Sequence, residues 1–113
     1  MELQNYILFL DDERHPSDEL ASREKVIIAR DFWGFKQVIQ IHGIPKHVCF
    51  DHDLGDPTYN GKRCAEYLIL CFLELDNSEI AKNFTYSVHS QNPIGAENIR
   101  LFLDPALKMV TGC

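Results

Sequence analysis

The chain lacks any apolar run near the ~20 residues that a membrane-spanning helix needs. Its most apolar stretch, residues 67–73, is short and flanked by charged residues. The first residues also lack the basic segment and long apolar core of a secretory leader. We therefore expect a soluble, cytoplasmic protein that does not bind a membrane.

Basic residues are few: 11 lysines and arginines face 17 acidic residues, for a formal net charge of -6. Coating duplex DNA relies on many lysine and arginine contacts to phosphate, so this composition argues against it. A small anionic substrate, or one nucleic-acid end held by a few local groups, is compatible with the charge.

Cysteine occurs four times, without the CxxC spacing of a metal or redox site, at Cys49, Cys64, Cys71 and Cys113. Three of them fall in apolar, strand-like or helix-like runs. We interpret these three as small buried hydrophobic side chains in a reducing compartment. We assign no role to Cys113.

With 113 residues, 45% of them hydrophobic, the chain can bury a core and is expected to form one domain over residues 1–113. Apolar runs predict strands at residues 6–10, 26–29, 47–50 and 84–88, and a short fifth strand at 106–110. Helices are predicted after Asp31, at 62–75 and at 92–103, and the link 12–25 has room for one small helix or a loop. We assign Trp33 and Phe35 to the core rather than to a base-stacking platform.

Continuously apolar strands that alternate with helices indicate a parallel sheet covered on both faces. Right-handed crossovers then favour an α/β, doubly wound sheet of four to five strands. In such folds ligands bind outside the carboxyl ends of the strands. The residues that follow each predicted strand are therefore the candidates for a site.

Four aspartates follow two of these strands: Asp11 and Asp12 after the first, Asp51 and Asp53 after the third. Neighbouring carboxylates raise the cost of ionising one another, unless a cation lies among them. Mg²⁺ prefers oxygen ligands and keeps places for water and phosphate, so the pattern favours a divalent-metal site for phosphate chemistry. Solvated acidic loops are the alternative interpretation.

His52 lies between two of these aspartates. Extended backbone alternates its side chains, so Asp51 and Asp53 would point to one side and His52 to the other. One aspartate would bind the metal while the second orients it or a histidine. His52 would either transfer protons or bond a loop carbonyl.

The segment from His89 to Gly95 predicts an anion site at a helix start. Asn92 is a good N-cap, and the next residue, a proline, suits the first helical position. Gly95 would let a ligand approach the backbone, and free N–H groups there attract phosphate. His89 could act as general acid or base beside it. A plain helix start with an incidental histidine is the alternative.

Arg14 follows the first aspartate pair and could clamp a phosphate with its planar guanidinium group. A surface salt bridge to Asp12 or Glu13 is the alternative for this side chain.

These residues resemble the receiver domains of response regulators, which hold Mg²⁺ with acidic residues and accept a phosphoryl group on an aspartate. The corresponding positions are Asp11, Asp12 and Asp51, and Ser90 matches a hydroxyl residue at the end of strand four. The chain departs from receivers in lacking their lysine after strand five, since Lys108 is a poor match.

A closer resemblance is to the receiver-like group named for cyclic-phosphate processing, which is frequent in bacteria and phages. Three stretches carry it: residues 10–16 (LDDERHP), 51–55 (DHDLG) and 89–95 (HSQNPIG). The resemblance implies a receiver-type fold and a metal-dependent phosphoesterase, or hydrolase, that acts on cyclic phosphates of nucleotides or RNA ends.

The residue roles implied by this resemblance fall into three sets. The metal, Mg²⁺ or Mn²⁺, would be held by Asp11, Asp12 and Asp51. Catalytic roles would fall to His52, His89 and Asp53, and substrate would be bound by Arg14, Ser90, Asn92 and Gly95.

Two other classes of function stay open. The chain could be a non-enzymatic switch phosphorylated on Asp51, or a nucleotide-binding module. It could also be a metal-dependent nuclease, because Glu13 together with Asp51 and Asp53 superficially resembles the Toprim arrangement. The substrate, the metal and the oligomeric state are not predicted from the sequence.

Overall fold

The structure, a computed structural model, describes residues 3–75 and 78–112. Its elements, in chain order, are β1 (Gln4–Leu10), α1 (Asp18–Arg23), β2 (Val26–Ala29), α2 (Phe32–His42), β3 (Pro45–Phe50), α3 (Gly61–Leu75), α4 (Ser78–Lys82), β4 (Thr85–Val88) and α5 (Pro93–Thr111). Among the described residues, no helix is long and apolar enough to cross a membrane. Cys113 lies outside the described residues.

The four strands form one parallel sheet in the order β2-β1-β3-β4. This arrangement confirms the predicted α/β, doubly wound, receiver-like architecture. The register pairs Phe9 with Cys49, and Phe50 with Val88. The carboxyl ends of β1, β3 and β4 therefore lie side by side, and the residues just beyond them meet at one edge of the sheet.

The two faces of the sheet are covered unequally. One face, which includes Leu8 and Phe50, is buried in a large core with residues of α2, α3, α4 and α5. The other face has a small cluster around Ile7, Phe9 and Cys49, against which Leu20 of α1 packs. The sequence predicted cover on both faces, but α5 packs against α3 and α4 on the first face. The second face keeps an open groove of about 580 Å³.

The predicted fifth strand at residues 106–110 is wrong, because α5 continues through Pro105 to Thr111. Leu103, Ala106, Leu107 and Val110 all contact the core. Their spacing of three, four and seven residues is the helical one, which places them on one face of α5.

The assignment of Trp33 to the core is also wrong, whereas Phe35 is fully buried as expected. Trp33 lies in the first turn of α2, and 56% of its surface is exposed. Of the cysteines, Cys49 and Cys64 are buried and Cys71 is partly buried, all as free thiols. Their burial matches the interpretation of these residues as small apolar side chains.

Candidate functional site

A polar cleft of about 220 Å³ opens at the carboxyl edge of the sheet. It is lined by Asp11, Asp12, Glu13, Arg14, Asp51, Asp53, Ser90 and Gln91. Every lining residue follows β1, β3 or β4 by at most four positions. The parallel topology thus brings together polar groups that lie about 40 residues apart along the chain.

Asp11 is fully buried at the base of the cleft, and four donors surround its carboxylate. The backbone N–H groups of Glu13 and Arg14 donate to Oδ1 at 3.0 and 2.8 Å. Arg14 Nε and His89 Nε2 each lie 3.0 Å from Oδ2. Burial alone would raise the pKa of Asp11, but these hydrogen bonds and the Arg14 charge together lower it. Asp11 is therefore ionised and firmly held.

Arg14 bridges two strand ends rather than forming the alternative ion pair with Asp12 or Glu13. Its Nε donates to Asp11, and its Nη2 donates to the carbonyl of His89 at 3.2 Å. Arg30, just after β2, donates in turn to the backbone carbonyls of Asp11 and Arg14 at 3.1 and 2.6 Å. The Arg14 side chain keeps 42% of its surface exposed, so it faces the cleft opening.

The imidazole ring of His89 is held by a stacking contact and by a hydrogen bond. Its ring stacks on Phe9, with centroids 4.7 Å apart and planes within 8°. An ionised carboxylate only accepts hydrogen bonds, so the contact with Asp11 requires the proton on Nε2. His89 is therefore oriented by a carboxylate.

Asp51 is 4% exposed and lies beside Asp11. Burial and the Asp11 charge raise its pKa, while a hydrogen bond with Ser90 and the charges of His89 and Arg14 oppose the rise. The side chains of Asp11, Asp51 and His89 offer ligand atoms that all lie within 4.8 Å of one another. The tight group is thus two aspartates and a histidine, whereas Asp12 is exposed at the cleft wall.

The donor set of this group fits a divalent cation. Carboxylate oxygens suit Mg²⁺ and Mn²⁺, and a cation would relieve the cost of ionising Asp51 beside Asp11. Four donors already surround the Asp11 carboxylate, so a cation bound there would replace one of them. Asp51 is therefore a more available ligand than Asp11.

A second cluster joins the loop after β3 to the start of α5. His52 Nδ1 lies 2.8 Å from Asp53 Oδ1, which also accepts from Asn92 Nδ2 at 3.3 Å. Asn92 caps α5 as expected, since its Oδ1 accepts from Gly95 N at 3.0 Å. The hydrogen bonds of His52 and Asn92 lower the pKa of Asp53, against a smaller opposing effect of burial.

The geometry of this second cluster differs from the sequence expectation in two ways. β3 ends at Phe50, so the strand alternation does not continue through Asp53, and His52 and Asp53 face each other. Gly95 leaves space for the His52 ring, with which an added Cβ would collide, instead of space for a ligand.

Asp53 connects the two clusters. It lines the polar cleft and also a neighbouring pocket of about 370 Å³ that includes His52, Leu54 and Asn60. All ten residues proposed from the sequence therefore lie at one edge of the sheet, divided between a carboxylate group and a histidine–aspartate pair.

Sequence reasoning missed two supporting residues and the packing role of a third, whose position at a helix start indicates that it could face the site. Arg30 and Phe9 position Asp11, Arg14 and His89, but nothing distinguishes them locally from any residue at a strand end. Gly61 packs directly on the backbone carbonyl of Asp51 and donates its N–H to the His52 carbonyl at 2.8 Å. Its place at a helix start after a strand is the signal that could have identified it.

Two solved structures share the fold at low sequence identity. A fusion that contains amino acids 181–211 of the yeast Spc42 trimeric coiled coil has a TM-score of 0.57 and 16% identity, over 99% of this chain and 83% of that one. NtrX from Brucella abortus has a TM-score of 0.51 and 19% identity, over 96% of this chain and 28% of that one. At these identities the likeness extends to the fold alone.

A comparison with curated proteins finds no match. By contrast, the model of one family, described as the cyclic-phosphate processing receiver domain, matches residues 6–105. That match includes β2, β3, β4, all of β1 except its first two residues, and the three sequence stretches that form the cleft and the histidine–aspartate pair. The chain therefore belongs to the family of cyclic-phosphate processing receiver domains.

Proposed function

We propose that the cleft is a metal-dependent phosphoesterase site that opens cyclic phosphates on nucleotides or RNA ends. The observation that supports this proposal most directly is the group of Asp11, Asp51 and His89, with ligand atoms within 4.8 Å of one another. Arg14 adds a cation at the mouth of the same cleft, where an anionic substrate would enter.

In this proposal Asp11, Asp12 and Asp51 hold Mg²⁺ or Mn²⁺. When bound, the ion would supply charge neutralisation at a phosphoryl oxygen and a lower pKa for a bound water. Arg14, Ser90 and the helix start at Asn92 and Gly95 would bind the phosphate oxygens.

The two histidines divide the proton transfers. A proton on His52 Nδ1 is held by Asp53, so Nε2 can accept the proton of the attacking water. The water oxygen bonds to phosphorus, and one ester P–O bond of the ring breaks. Protonated His89, whose Nε2 is held by Asp11, donates its Nδ1 proton to the leaving oxygen. The product is a linear phosphate ester with a free hydroxyl.

The proposal is tested with 2′,3′-cyclic nucleotides, cyclic dinucleotides and linear RNA, each with and without Mg²⁺ or Mn²⁺. We expect metal-dependent opening of at least one cyclic class, and losses of about 10²–10⁴-fold in His52→Ala and His89→Ala. His42→Ala, which changes an exposed histidine of α2, is the matched control and should keep full activity.

Two results would overturn the phosphoesterase proposal. One is the absence of hydrolysis for every cyclic substrate with every metal. The other is unchanged activity in both His52→Ala and His89→Ala. Cleavage of linear RNA alone would instead favour a nuclease.

A receiver-type switch is the second candidate, because Asp51 ends β3 and hydrogen-bonds Ser90. Labelling of the protein by acetyl phosphate, lost in Asp51→Asn, would favour the switch. The poor match of Lys108 to the lysine that receivers carry after strand five favours the hydrolytic alternative. Tight nucleotide binding without turnover or labelling would favour a binding module.

A further inference from the structure

An exposed group of aromatic rings, which we call the aromatic surface, consists of Phe32, Trp33 and Tyr59. The ring centroids are 5.0 Å apart for Phe32 and Trp33, 5.2 Å for Phe32 and Tyr59, and 5.0 Å for Trp33 and Tyr59. Trp33 leaves 56% of its surface in water. Phe32 and Tyr59 are half-buried and contact the indole, so Trp33 has packed neighbours but keeps an exposed part.

The aromatic surface lies at the same edge of the sheet as the polar cleft. α2 begins at Phe32, directly after β2, and Tyr59 precedes α3 in the loop that follows β3. Arg30, two residues before Phe32, donates to the Asp11 carbonyl. Gly61, two residues after Tyr59, donates to the His52 carbonyl. Both sides of the surface are thus joined by hydrogen bonds to the backbone of site residues.

Two pockets adjoin the residues on either side of Tyr59. Asn60, next to Tyr59, lines the pocket that contains His52 and Asp53. Asn60 also lines a further pocket of about 350 Å³, together with Lys62 and Arg63. Asn60 thus joins the pocket beside the cleft to a second pocket that has Lys62 and Arg63 in its wall.

Two basic residues, Lys62 and Arg63, follow Tyr59 closely in the chain, and Arg63 Nε lies 3.8 Å from Glu66 Oε1. The Arg63 guanidinium lies 5.7 Å from the Tyr59 ring centroid, and Lys62 is exposed next to it. Aromatic faces combined with arginine are the usual platform for unpaired nucleobases, whose π-faces stack without sequence preference. A purely apolar partner would gain nothing from the two cations.

We propose that the aromatic surface stacks the nucleobase of the nucleotide or RNA end whose phosphate enters the cleft. This inference rests on the proposed function for the identity of the phosphate, and it adds that the base is recognised by stacking on Trp33 and Tyr59. The substrate class is then a base-bearing phosphate of a mononucleotide or a single-stranded RNA end, in preference to a simple sugar phosphate.

Trp33 is the only tryptophan in the chain, so its fluorescence reports directly on the surface. We expect a saturable change in emission with adenosine 3′-phosphate and with adenosine 2′,3′-cyclic phosphate. Ribose 5-phosphate, which has no base, should give none at the same concentrations. A short RNA with a 2′,3′-cyclic phosphate end that binds more tightly than the mononucleotide would identify an RNA end as the preferred source.

Substitutions separate stacking from folding. Trp33→Leu should weaken nucleotide binding, measured by calorimetry, by about tenfold, since one base–aromatic stack is lost. Trp33→Phe keeps a π-face and should bind within about threefold of the parent. Met109→Leu, on an exposed position of α5, is the control, and circular dichroism checks that each variant is folded.

The outcomes distinguish this inference from the proposed function. Base-dependent binding that Trp33→Leu weakens would support the aromatic surface even if no cyclic phosphate were hydrolysed. Equal binding of ribose 5-phosphate, or of nucleotide by Trp33→Leu and parent, would overturn it even if hydrolysis were observed. Self-association that disappears in Trp33→Leu, without any nucleotide response, would also overturn it in favour of a second copy of the chain.

Discussion

Asp11 and Asp51 are the same kind of side chain at neighbouring strand ends, but their surroundings act on them in opposite directions. Asp11 accepts four hydrogen bonds, two of them from backbone N–H groups, and its pKa is lowered. Asp51 is similarly buried, and burial and its neighbour raise its pKa. Asp11 therefore stabilises the fold, whereas ionising Asp51 costs stability that a bound cation would recover.

Replacing each aspartate by asparagine should therefore change stability in opposite directions in metal-free buffer. Asp11→Asn points an N–H group at the donors of Arg14 and His89, and should destabilise the protein by about 3 kcal/mol. Asp51→Asn removes a buried charge and should stabilise it by about 1 kcal/mol. Urea unfolding gives both values. Destabilisation of similar size in both variants would contradict the opposed roles.

The pH dependence gives an independent check of the same two residues. Because its folded pKa is depressed, Asp11 contributes stability above its ordinary pKa of 3.8 that is lost as pH falls through the folded value. Asp51, whose folded pKa is raised, costs stability as pH rises from 3.8 through its folded value. The stability advantage of Asp51→Asn should therefore increase as the pH rises above about 4. Thermal unfolding across that range measures it, and a pH-independent difference would contradict the raised pKa.

We expect metal binding to depend on Asp51 in particular. Mn²⁺ binding, measured by calorimetry, should be lost in Asp51→Asn, because Asp51 is the buried carboxylate with fewer donors around it. Ser22→Ala, on the exposed side of α1, is a suitable control. Unchanged Mn²⁺ affinity in Asp51→Asn would place the metal elsewhere.

At the scale of the elements, the start of α5 links helix capping to the histidine–aspartate pair. The Asn92 side chain accepts from Gly95 N through Oδ1 and donates to Asp53 through Nδ2. The Asn92 side chain thus caps the first turn of α5. It also orients the Asp53 carboxylate, which hydrogen-bonds His52.

Two substitutions of Asn92 should separate these roles. Asn92→Ala removes the cap and should cost about 1 kcal/mol in the free energy of unfolding. Asn92→Asp keeps a capping oxygen and should remain within about 0.5 kcal/mol of the parent. Both should raise the pKa of Asp53, the aspartate variant more, because it adds a like charge. Carbonyl ¹³C NMR titration measures this pKa, and an unchanged value in both variants would exclude the Asn92–Asp53 contact in solution.

The sequence predicted the elements where the local pattern is strong. The apolar runs of β1 and β3 and the Asn92 cap have local causes, and the structure contains them. Residues 106–110 were mistaken for a strand because five residues are too few to separate a strand from the end of a long helix. The exposure of Trp33 depends on Phe32 and Tyr59, whose contact joins two distant parts of the chain.

The candidate site was predictable in location but not in its internal geometry. Parallel topology alone brings the strand-end aspartates to one edge. Which donors reach Asp11 depends on the loop after β1, where the chain folds back to place two N–H groups on one carboxylate. The pairing of His52 with Asp53 likewise depends on where β3 ends, which no alternation rule predicts.

At the scale of the whole molecule, the unequal cover of the sheet should be measurable as unequal stability. Leu8 is fully buried in the large core, whereas Ile7, its neighbour on β1, points to the small cluster and the open groove. Truncating a side chain in a large core leaves a cavity that the surrounding residues do not fill. Truncating a side chain beside a groove leaves a space that water can enter. The two neighbours therefore differ in what surrounds them, although each is a single apolar residue of the same strand.

We expect Leu8→Ala to cost about 4 kcal/mol and Ile7→Ala about 2 kcal/mol in the free energy of unfolding. Urea unfolding measures both, and Ile41→Ala, at an exposed position of α2, should change stability by less than about 0.5 kcal/mol. Equal losses at positions 7 and 8 would mean that the second face is as well covered as the first. Ile7→Ala should also leave Mn²⁺ binding intact, because backbone N–H groups of the loop after β1 hold the Asp11 carboxylate directly.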